Sequence, residues 1–265
     1  MLRIRLFCII SIFLSALYSS RAQDLEGLAV EYERAVYSGA SLEEANAALI
    51  GKARCYKALG RYAEASSTLA RIRMFALTPE ERQEVLFQQE LCRFMGGEFE
   101  QAAAMVEEVE PVSQDVLLLH ALALAYCGRY DESEIYAARC ISFNGTNPRL
   151  GELLKFYEGH PRVKSEKTAT VLSFVPPLAH FYNEAYGEGL LSAGLNAASV
   201  GIIVANLVGG YWISGILGGG IALDYTLMGN RERNAFLVHK NNTNGPIAFG
   251  ERLRALLGDI LNDYD

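Results

Sequence analysis

The chain has 265 residues, of which 51% are hydrophobic, and its formal net charge is −7. This length is sufficient for one large domain or two modest domains with a sizeable core. An acidic chain has no positive field to attract phosphates, so the composition argues against a nucleic-acid partner.

Residues 1–22 have the layout of a secretory signal peptide. Arg3 and Arg5 form a basic end, an apolar stretch follows, and Ser20-Arg21-Ala22 is a small-x-small cleavage site. Cleavage after Ala22 would remove three arginines and no acidic residue, so the mature chain would have a more negative net charge. We therefore expect an exported protein, with an uncleaved anchor helix as the alternative.

The chemistry-bearing residues form no catalytic or metal-binding motif. The four histidines are scattered, and the sequence has no H-E-x-x-H, P-loop, G-x-S-x-G or C-x-x-C motif. We expect a protein without metal or cofactor that is not an enzyme. Export permits disulfides, but the helical patterns around the cysteines favour buried thiols: Cys55, Cys92, Cys127 and Cys140.

A sequence pattern recurs between residues 42 and 143. Residues 53–65 read A-x-x-Y-x-x-x-G-x-Y-x-x-A, and two further copies keep a glycine, an aromatic residue two positions later and a small residue three positions after that. The glycine would end one helix, and the small residue would let the next helix pack closely. The three sets are Gly60, Tyr62, Ala65; Gly97, Phe99, Ala102; and Gly128, Tyr130, Ser133.

This pattern resembles the tetratricopeptide repeat (TPR), a helix–turn–helix unit of about 34 residues. The resemblance implies a TPR-like helical solenoid over residues 23–160, with an added front helix at 25–38 and a capping helix at 148–158. Stacked repeats form a continuous core and a concave surface. We expect that surface to bind a protein or peptide partner; a spacer without a ligand is the alternative.

A hinge at 161–167 precedes a hydrophobic module at 168–245. The stretch 189–223 contains no charged residue, and Gly209-Gly210 offers a turn within it. Gly189–Val208 would be about 30 Å long as a helix, which matches the hydrocarbon core of a bilayer. A second apolar helix at 211–228 would complete a Gly/Ala-rich hairpin, with Tyr211 and Trp212 at an interface.

Small residues at four-residue spacing predict the packing face of the first hairpin helix, because positions i and i+4 stack on one face. Close contact between small residues holds helices together in a membrane. We therefore favour a membrane hairpin over a soluble, buried one. The predicted stripe is Gly189, Ala193, Ala197, Gly201, Ala205 and Gly209, opposite Gly215 and Gly219 or the alternative set Ser214, Gly218 and Ala222.

Three polar residues interrupt the apolar helices: Asn196, Asn206 and Asp224. For the asparagines we favour hydrogen bonding between helices over substrate binding. For Asp224 we favour an interfacial or capping role, since it lies near a helix end, over a functional intramembrane charge. A module that handles a lipid or small molecule through these three residues is our second functional hypothesis.

The module also resembles a bacterial envelope family of unknown function whose members read A-x-x-L-S-x-x-x-P-G-x-G-Q-x-Y and later Y-x-x-G-N. The matching segments here are 169–176, with Phe181-Tyr182, and 225–230. Pro177, Ala179 and His180 stand where the family has glycine, glycine and glutamine. The resemblance implies a membrane-associated module that often follows helical repeats.

The last segment, 246–265, has an amphipathic helical pattern that favours docking on protein over lying on a membrane. Basic residues flank the hairpin on both sides, which conflicts with export of the preceding repeats. The sequence as a whole predicts an all-α envelope scaffold, with a soluble interaction protein as the third hypothesis.

Overall fold

The computed structural model describes residues 22–38 and 41–263, and this part of the chain is all-α, with helices joined by turns and loops. The predicted signal peptide, apart from Ala22, lies outside the described residues. Helix α1 covers residues 22–37, which confirms the added front helix. The remaining α-helices are α2 Leu42–Ala58, α3 Tyr62–Leu69, α4 Pro79–Met95, α5 Phe99–Ala104, α6 Gln114–Tyr126, α7 Tyr130–Ile141, α8 Leu150–Glu158, α9 Glu166–Leu172, α10 Leu178–Tyr182, α11 Tyr186–Val208, α12 Trp212–Ser214 and α13 Gly220–Asn262.

The chain divides into two compact units. The first, which we call the helical-pair unit, combines the described residues up to Glu158 with the segment from Leu253 onward. The second, the hairpin unit, is Gly159–Arg252. Two short 3₁₀ turns, Met74–Ala76 and Met105–Glu107, belong to the first unit, and a π-helical turn, Gly215–Gly219, belongs to the second.

Each helix from α2 to α7 contacts the next one along the chain. Three glycines make the turns within the pairs: Gly60, Gly97 and Gly128 have φ of 72°, 80° and 77°. In each turn the N–H after the glycine donates to a carbonyl five residues back, as in Arg61 to Tyr56 at 2.9 Å. Only glycine adopts this left-handed conformation without strain, so the predicted turn role of these glycines is confirmed.

The core of this unit comes from the small and aliphatic residues that face between pairs. Ala65 and Ala102 are fully buried, as the recurring pattern requires, and Ser133 takes the equivalent position in the third pair. Capping boxes fix where two helices begin, because Ser41 and Thr78 each exchange hydrogen bonds with a glutamate three residues later.

The segment before helix α9, at the start of the hairpin unit, is fixed by hydrogen bonds to side chains and backbone of that unit. The backbone N–H of Lys164 donates to Asn242 Oδ1 at 2.8 Å, and its Nζ donates to the Tyr182 carbonyl and to Glu184. Helix α9 then begins at Glu166, inside the predicted hinge 161–167. These bonds hold residue 164 in a defined place within its unit.

The end of the chain differs from the prediction. We expected separate elements at 211–228 and 246–265, but α13 runs without interruption from Gly220 to Asn262 and contains Pro246. A proline inside a helix removes one hydrogen bond and costs about 3 kcal/mol, and burial of the following face offsets that cost. Phe249, Leu253, Leu257 and Ile260 are fully buried.

From Leu253 onward, α13 belongs to the helical-pair unit. Its end is held there by Arg149, whose Nη1 lies 2.6 Å from Asp263 Oδ2. The terminal amphipathic segment therefore docks on protein, as we favoured, but on the helical pairs.

Candidate functional site

Helix α11 and the segment that follows it form an antiparallel hairpin around Gly209-Gly210. Gly210 has φ of 79°, and the N–H of Tyr211 donates to the Asn206 carbonyl at 2.8 Å, which closes the turn. The π-helical turn Gly215–Gly219 packs back against α11. The predicted hairpin and its turn are confirmed.

Two glycines let the helices approach each other closely. A Cβ on Gly219 would lie 2.5 Å from Ile203 Cγ1 and 2.9 Å from the Ile203 backbone nitrogen. A Cβ on Gly215 would lie 3.0 Å from Asn206 Cβ. By contrast, a Cβ on Gly218 would meet nothing within 4 Å. The returning helix therefore packs through Gly215 and Gly219, and Gly218 is on another side.

The predicted stripe on α11 is not the packing face. Gly189 is buried and Ala193 is half-buried, but the other four members are exposed: Ala197, Gly201, Ala205 and Gly209. Each four-residue step advances about 40° around a helix, so five steps turn the stripe through about 200°. It begins on the packing face and ends on the opposite side.

The observed packing face alternates steps of three and four residues, which keeps it aligned with a neighbouring helix. Most of its members are polar or small. They are Gly189, Ser192, Asn196 and Ser199, which are buried, and Ile203 and Asn206, which are half-buried.

Hydrogen bonds cross between the two helices along this face, and we call the residues that make them the polar seam: Ser192, Asn196, Asn206, Ser214, Thr226 and Asn230. Ser192 Oγ donates to Asn230 Oδ1 at 2.6 Å, and Thr226 Oγ1 donates to Asn196 Oδ1 at 3.0 Å. Nearer the turn, Ser214 Oγ donates to Asn206 Oδ1 at 3.1 Å. The predicted interhelical role of Asn196 and Asn206 is confirmed.

Asp224, the third member of the predicted polar set, is not part of the seam. Its side chain is exposed on α13, between Leu223 and Tyr225. The structure therefore does not bring Asn196, Asn206 and Asp224 together as one site.

Short helix α10 packs against the end of the hairpin that lies away from the turn. We call the polar residues at this end the hairpin base: His180, Asn183, Asn230, Asn234 and Asn241. Asn183 Nδ2 donates to Asn234 Oδ1 at 3.0 Å, and Asn241 Nδ2 donates to the Asn183 carbonyl at 3.1 Å. His180 Nε2 lies 3.4 Å from Asn230 Oδ1. The packing is close here too, since a Cβ on Gly189 would lie 2.8 Å from the Phe181 ring.

Three buried polar atoms of the base have no hydrogen-bond partner: His180 Nδ1, Asn183 Oδ1 and Asn230 Nδ2. All three residues are more than nine-tenths buried. An unpaired buried polar group costs about 1–3 kcal/mol, so these three atoms make the base less stable than a fully hydrogen-bonded arrangement would be.

Sequence reasoning missed most of the base and part of the seam. The available signal was the four-residue spacing of Thr226, Asn230 and Asn234, which puts polar side chains on one face of α13. The partners on α10 could not be recognised in this way, because they follow a proline break.

An ion pair joins the two helices beside the base. Arg233 donates from Nε and Nη2 to both carboxylate oxygens of Glu188, at 2.8 and 2.7 Å. Between this pair and the turn, the outer surface of the hairpin is apolar and open. Its exposed large side chains include Leu190, Leu191, Leu195, Val200, Ile202, Val204, Leu207, Val208, Tyr211, Trp212, Ile213, Ile216, Leu217 and Ile221. Helix α11 alone is long and apolar enough to cross a membrane, by length and composition, among the described residues.

The helical-pair unit contains a separate buried pair of titratable residues. His120 Nε2 lies 3.1 Å from Glu90 Oε2, and both side chains are fully buried. The contact is within ion-pair distance but lacks good hydrogen-bond geometry. Burial raises the pKa of Glu90, and His120 partly opposes that shift.

The four cysteines of the described part of this unit form no disulfide. Cys55, Cys92 and Cys140 are buried, as the sequence favoured, whereas Cys127 is half-buried. Burial raises the pKa of Cys127 and of Cys140 to about 12, so neither forms a reactive thiolate near neutral pH. In the described part of the chain, no group of three or more His, Cys, Asp and Glu side chains is placed to hold a metal ion.

Comparison with known proteins adds no relative: no family model, curated protein or solved structure matches this chain.

Proposed function

We propose that this protein is a membrane-anchored, non-enzymatic scaffold of the bacterial cell envelope. In this proposal the chain is exported, a TPR-like solenoid binds a protein or peptide partner on the periplasmic side, and the glycine-rich hairpin holds the solenoid at the membrane.

The polarity of the hairpin carries the proposal: polar side chains pair inside, and large apolar side chains face outward. Exposed apolar surface in water costs about 25 cal/mol per Å², and a continuous surface of this kind marks an interaction site. Leu190, Leu191 and Val208 are 67%, 65% and 85% exposed. In lipid the same surface is favourable, and the paired interior leaves few polar groups unsatisfied.

The arrangement of the helical-pair unit supports the scaffold part of the proposal. Its helices contact one another in chain order, and glycines at equivalent positions turn each pair. An array of this kind buries its core between pairs and leaves long helix faces open to a partner.

The test of anchoring is alkaline carbonate extraction of membranes that contain the full-length protein. We expect the wild type to remain with the membrane and an Ile202→Arg/Val204→Arg variant to be released, since an arginine within the bilayer core costs about 3 kcal/mol. A control variant, Phe75→Arg/Val163→Arg, changes two exposed apolar residues outside the hairpin and should remain bound. Release of the wild type would favour the soluble interaction protein instead.

The test of scaffolding is crosslinking in intact cells followed by capture of the tagged full-length protein. A defined partner that is lost when residues 42–143 are deleted, while the membrane fraction is unchanged, is the expected result. Absence of any specific crosslink would contradict the scaffold role without affecting the anchor.

The three unpaired atoms of the hairpin base favour a second function, the handling of a lipid or small polar molecule. Native mass spectrometry of the detergent-purified protein tests it. A bound molecule that is detected with the wild type and is lost from the Asn183→Leu variant, whose helix content is unchanged, would support this function. Identical mass spectra for the two proteins would exclude it.

A further inference from the structure

A groove lies between the beginning of α4 and the beginning of α6, and encloses about 560 Å³. We call it the α4–α6 groove. Its lining from α4 is Pro79, Glu80, Arg82, Gln83, Glu84 and Phe87, and its lining from the loop and α6 is Val109, Glu110, Val112, Ser113, Asp115 and Val116.

The floor of the groove is apolar. Val109 and Val116 are buried, Phe87 is half-buried, and Val112 is 67% exposed at the edge. A bulky apolar side chain placed here would remove the exposed part of Val112 and Phe87 from water, which is favourable by about 25 cal/mol per Å².

The rim of the groove is acidic: Glu80, Glu84, Glu110 and Asp115 are exposed, and Arg82 is the one basic residue of the lining. Among the described residues, none of these four carboxylates takes part in an ion pair. Glu80 and Asp115 also lie in the first turns of α4 and α6, where negative charge favours the helix. Glu84 and Glu110 lie outside the first turns. Glu84 Oε1 accepts a hydrogen bond of 2.9 Å from Gln88 Nε2, but that partner is neutral and leaves the negative charge in place.

Several other carboxylates of the same unit are neutralised within the chain. Glu33 contacts Arg71 and Lys52, which lowers its pKa to about 2, and Glu64 and Glu132 each pair with an arginine three residues before them. A second cavity, of about 600 Å³ between α1 and α2, contains cations and anions that already pair with each other. The α4–α6 groove differs from this cavity, because its four carboxylates have no cationic partner among the described residues.

The walls of the groove are fixed before any ligand arrives. Gln83 Oε1 accepts a hydrogen bond of 2.9 Å from the backbone N–H of Glu110, which ties the loop to α4. The Ser113 hydroxyl caps α6 by accepting from the N–H of Val116 at 3.3 Å. A preformed groove binds its ligand at a lower entropic cost than a mobile one.

We propose that the α4–α6 groove binds a segment of a partner protein in which one or two bulky apolar side chains are flanked by lysine or arginine. The apolar side chains would contact Phe87 and Val112, and the cations would face Glu84 and Glu110. The inference names the partner of the proposed scaffold, but it does not depend on the membrane anchor.

The test uses the full-length protein in detergent micelles and a fluorescein-labelled peptide of twelve residues that alternates lysine and leucine, with empty micelles as the blank. Fluorescence anisotropy gives the affinity. We expect Glu84→Lys/Glu110→Lys to weaken binding by about tenfold or more, because like charges would then face each other. The matched variant Glu31→Lys/Glu100→Lys changes net charge equally at exposed sites outside the groove and should change the affinity by less than about threefold.

Two further measurements locate the peptide. Val112→Ser should weaken binding, and a photo-crosslinking benzoylphenylalanine at position 112 should capture the lysine–leucine peptide but not a glutamate–leucine peptide. Equal weakening by both charge-reversal variants would overturn the proposal, because it would show attraction to net charge alone. Capture of both peptides at position 112 would also overturn it. Failure of carbonate retention would contradict the anchor and leave this result unaffected.

Discussion

At the scale of single residues, the helical-pair unit contains buried polar contacts between its helices. Glu90 on α4 and His120 on α6 face each other. The centroid of the Tyr136 ring lies 5.1 Å from that of the His120 imidazole. Ser133 Oγ donates to the Ala121 carbonyl at 2.6 Å and lies 2.7 Å from the Tyr157 hydroxyl. Such contacts specify which helices meet, and they make the stability of the unit depend on individual polar groups.

Glu90 makes the stability of this unit depend on pH. Because burial raises the pKa of Glu90 above its usual value, the folded state keeps a proton that the unfolded chain loses. Stability should therefore fall as pH rises from about 4.5 through the raised pKa, by about 1.4 kcal/mol for each unit of pKa difference.

The variant Glu90→Gln removes this titration. Thermal unfolding followed by circular dichroism between pH 4.5 and 7 should show a Tm that falls less steeply than that of the wild type. Glu100→Gln, at an exposed position, should keep the wild-type slope. Parallel slopes for the wild type and Glu90→Gln would show that Glu90 does not titrate differently in the folded state.

For the substitution Ser133→Ala, the sequence pattern and the structure predict opposite changes in stability. Alanine occupies the equivalent position in the first two helical pairs, at Ala65 and Ala102, so the pattern alone predicts that Ser133→Ala is stabilising. The hydroxyl bridges α6, α7 and α8, however, and we expect the substitution to lower the free energy of unfolding by about 1–2 kcal/mol. Urea unfolding measures it.

Ser67→Ala is the control, because Ser67 is exposed and its hydroxyl bonds only within its own helix. It should change stability by less than about 0.5 kcal/mol. A gain in stability for Ser133→Ala would show that close packing outweighs the hydrogen bonds here.

At the scale of elements, the hairpin depends on how closely its helices approach. Gly219→Ala would press a methyl group onto the backbone of Ile203 and Ser199, at a cost of about 1–3 kcal/mol. Gly218→Ala has open space and should be neutral or gain up to about 1 kcal/mol of helix propensity. Thermal melts of the two variants in the same detergent compare them, and equal Tm values would contradict the packing described.

The elements also show what the sequence could reveal. The turns at Gly60, Gly97 and Gly128 were predictable, because a left-handed backbone conformation requires glycine at that position whatever the rest of the fold does. The packing face of α11 was not, since a four-residue stripe drifts around a helix and only the partner helix selects the face used. The continuity of α13 through Pro246 was also hidden, because it depends on burial of residues far along the chain. The four-residue spacing of Asn230 and Asn234 can be read from the sequence, but their hydrogen-bond partners on α10 cannot.

At the scale of the whole molecule, charge and polarity are distributed unevenly. Charged residues are absent between Gly189 and Leu223, and the hairpin there is polar within and apolar outside. The basic residues on either side of it, such as Lys167 and Lys240, precede and follow an antiparallel pair of helices. A hairpin returns the chain to the side from which it left, so the proposed membrane placement puts both basic flanks on one side.

This placement predicts a labelling pattern for single cysteines introduced at exposed positions. Lys167→Cys and Lys240→Cys should react with a membrane-impermeant maleimide from the same side of the membrane. Tyr211→Cys, at the turn, should be protected from that side, since the 23 residues of α11 would reach about 35 Å, enough to cross the bilayer core. The native thiols with raised pKa values, such as Cys127 and Cys140, should contribute little signal. Labelling of positions 167 and 240 from opposite sides would show that the chain crosses the membrane an odd number of times, which the antiparallel pair joined at Gly209-Gly210 does not permit.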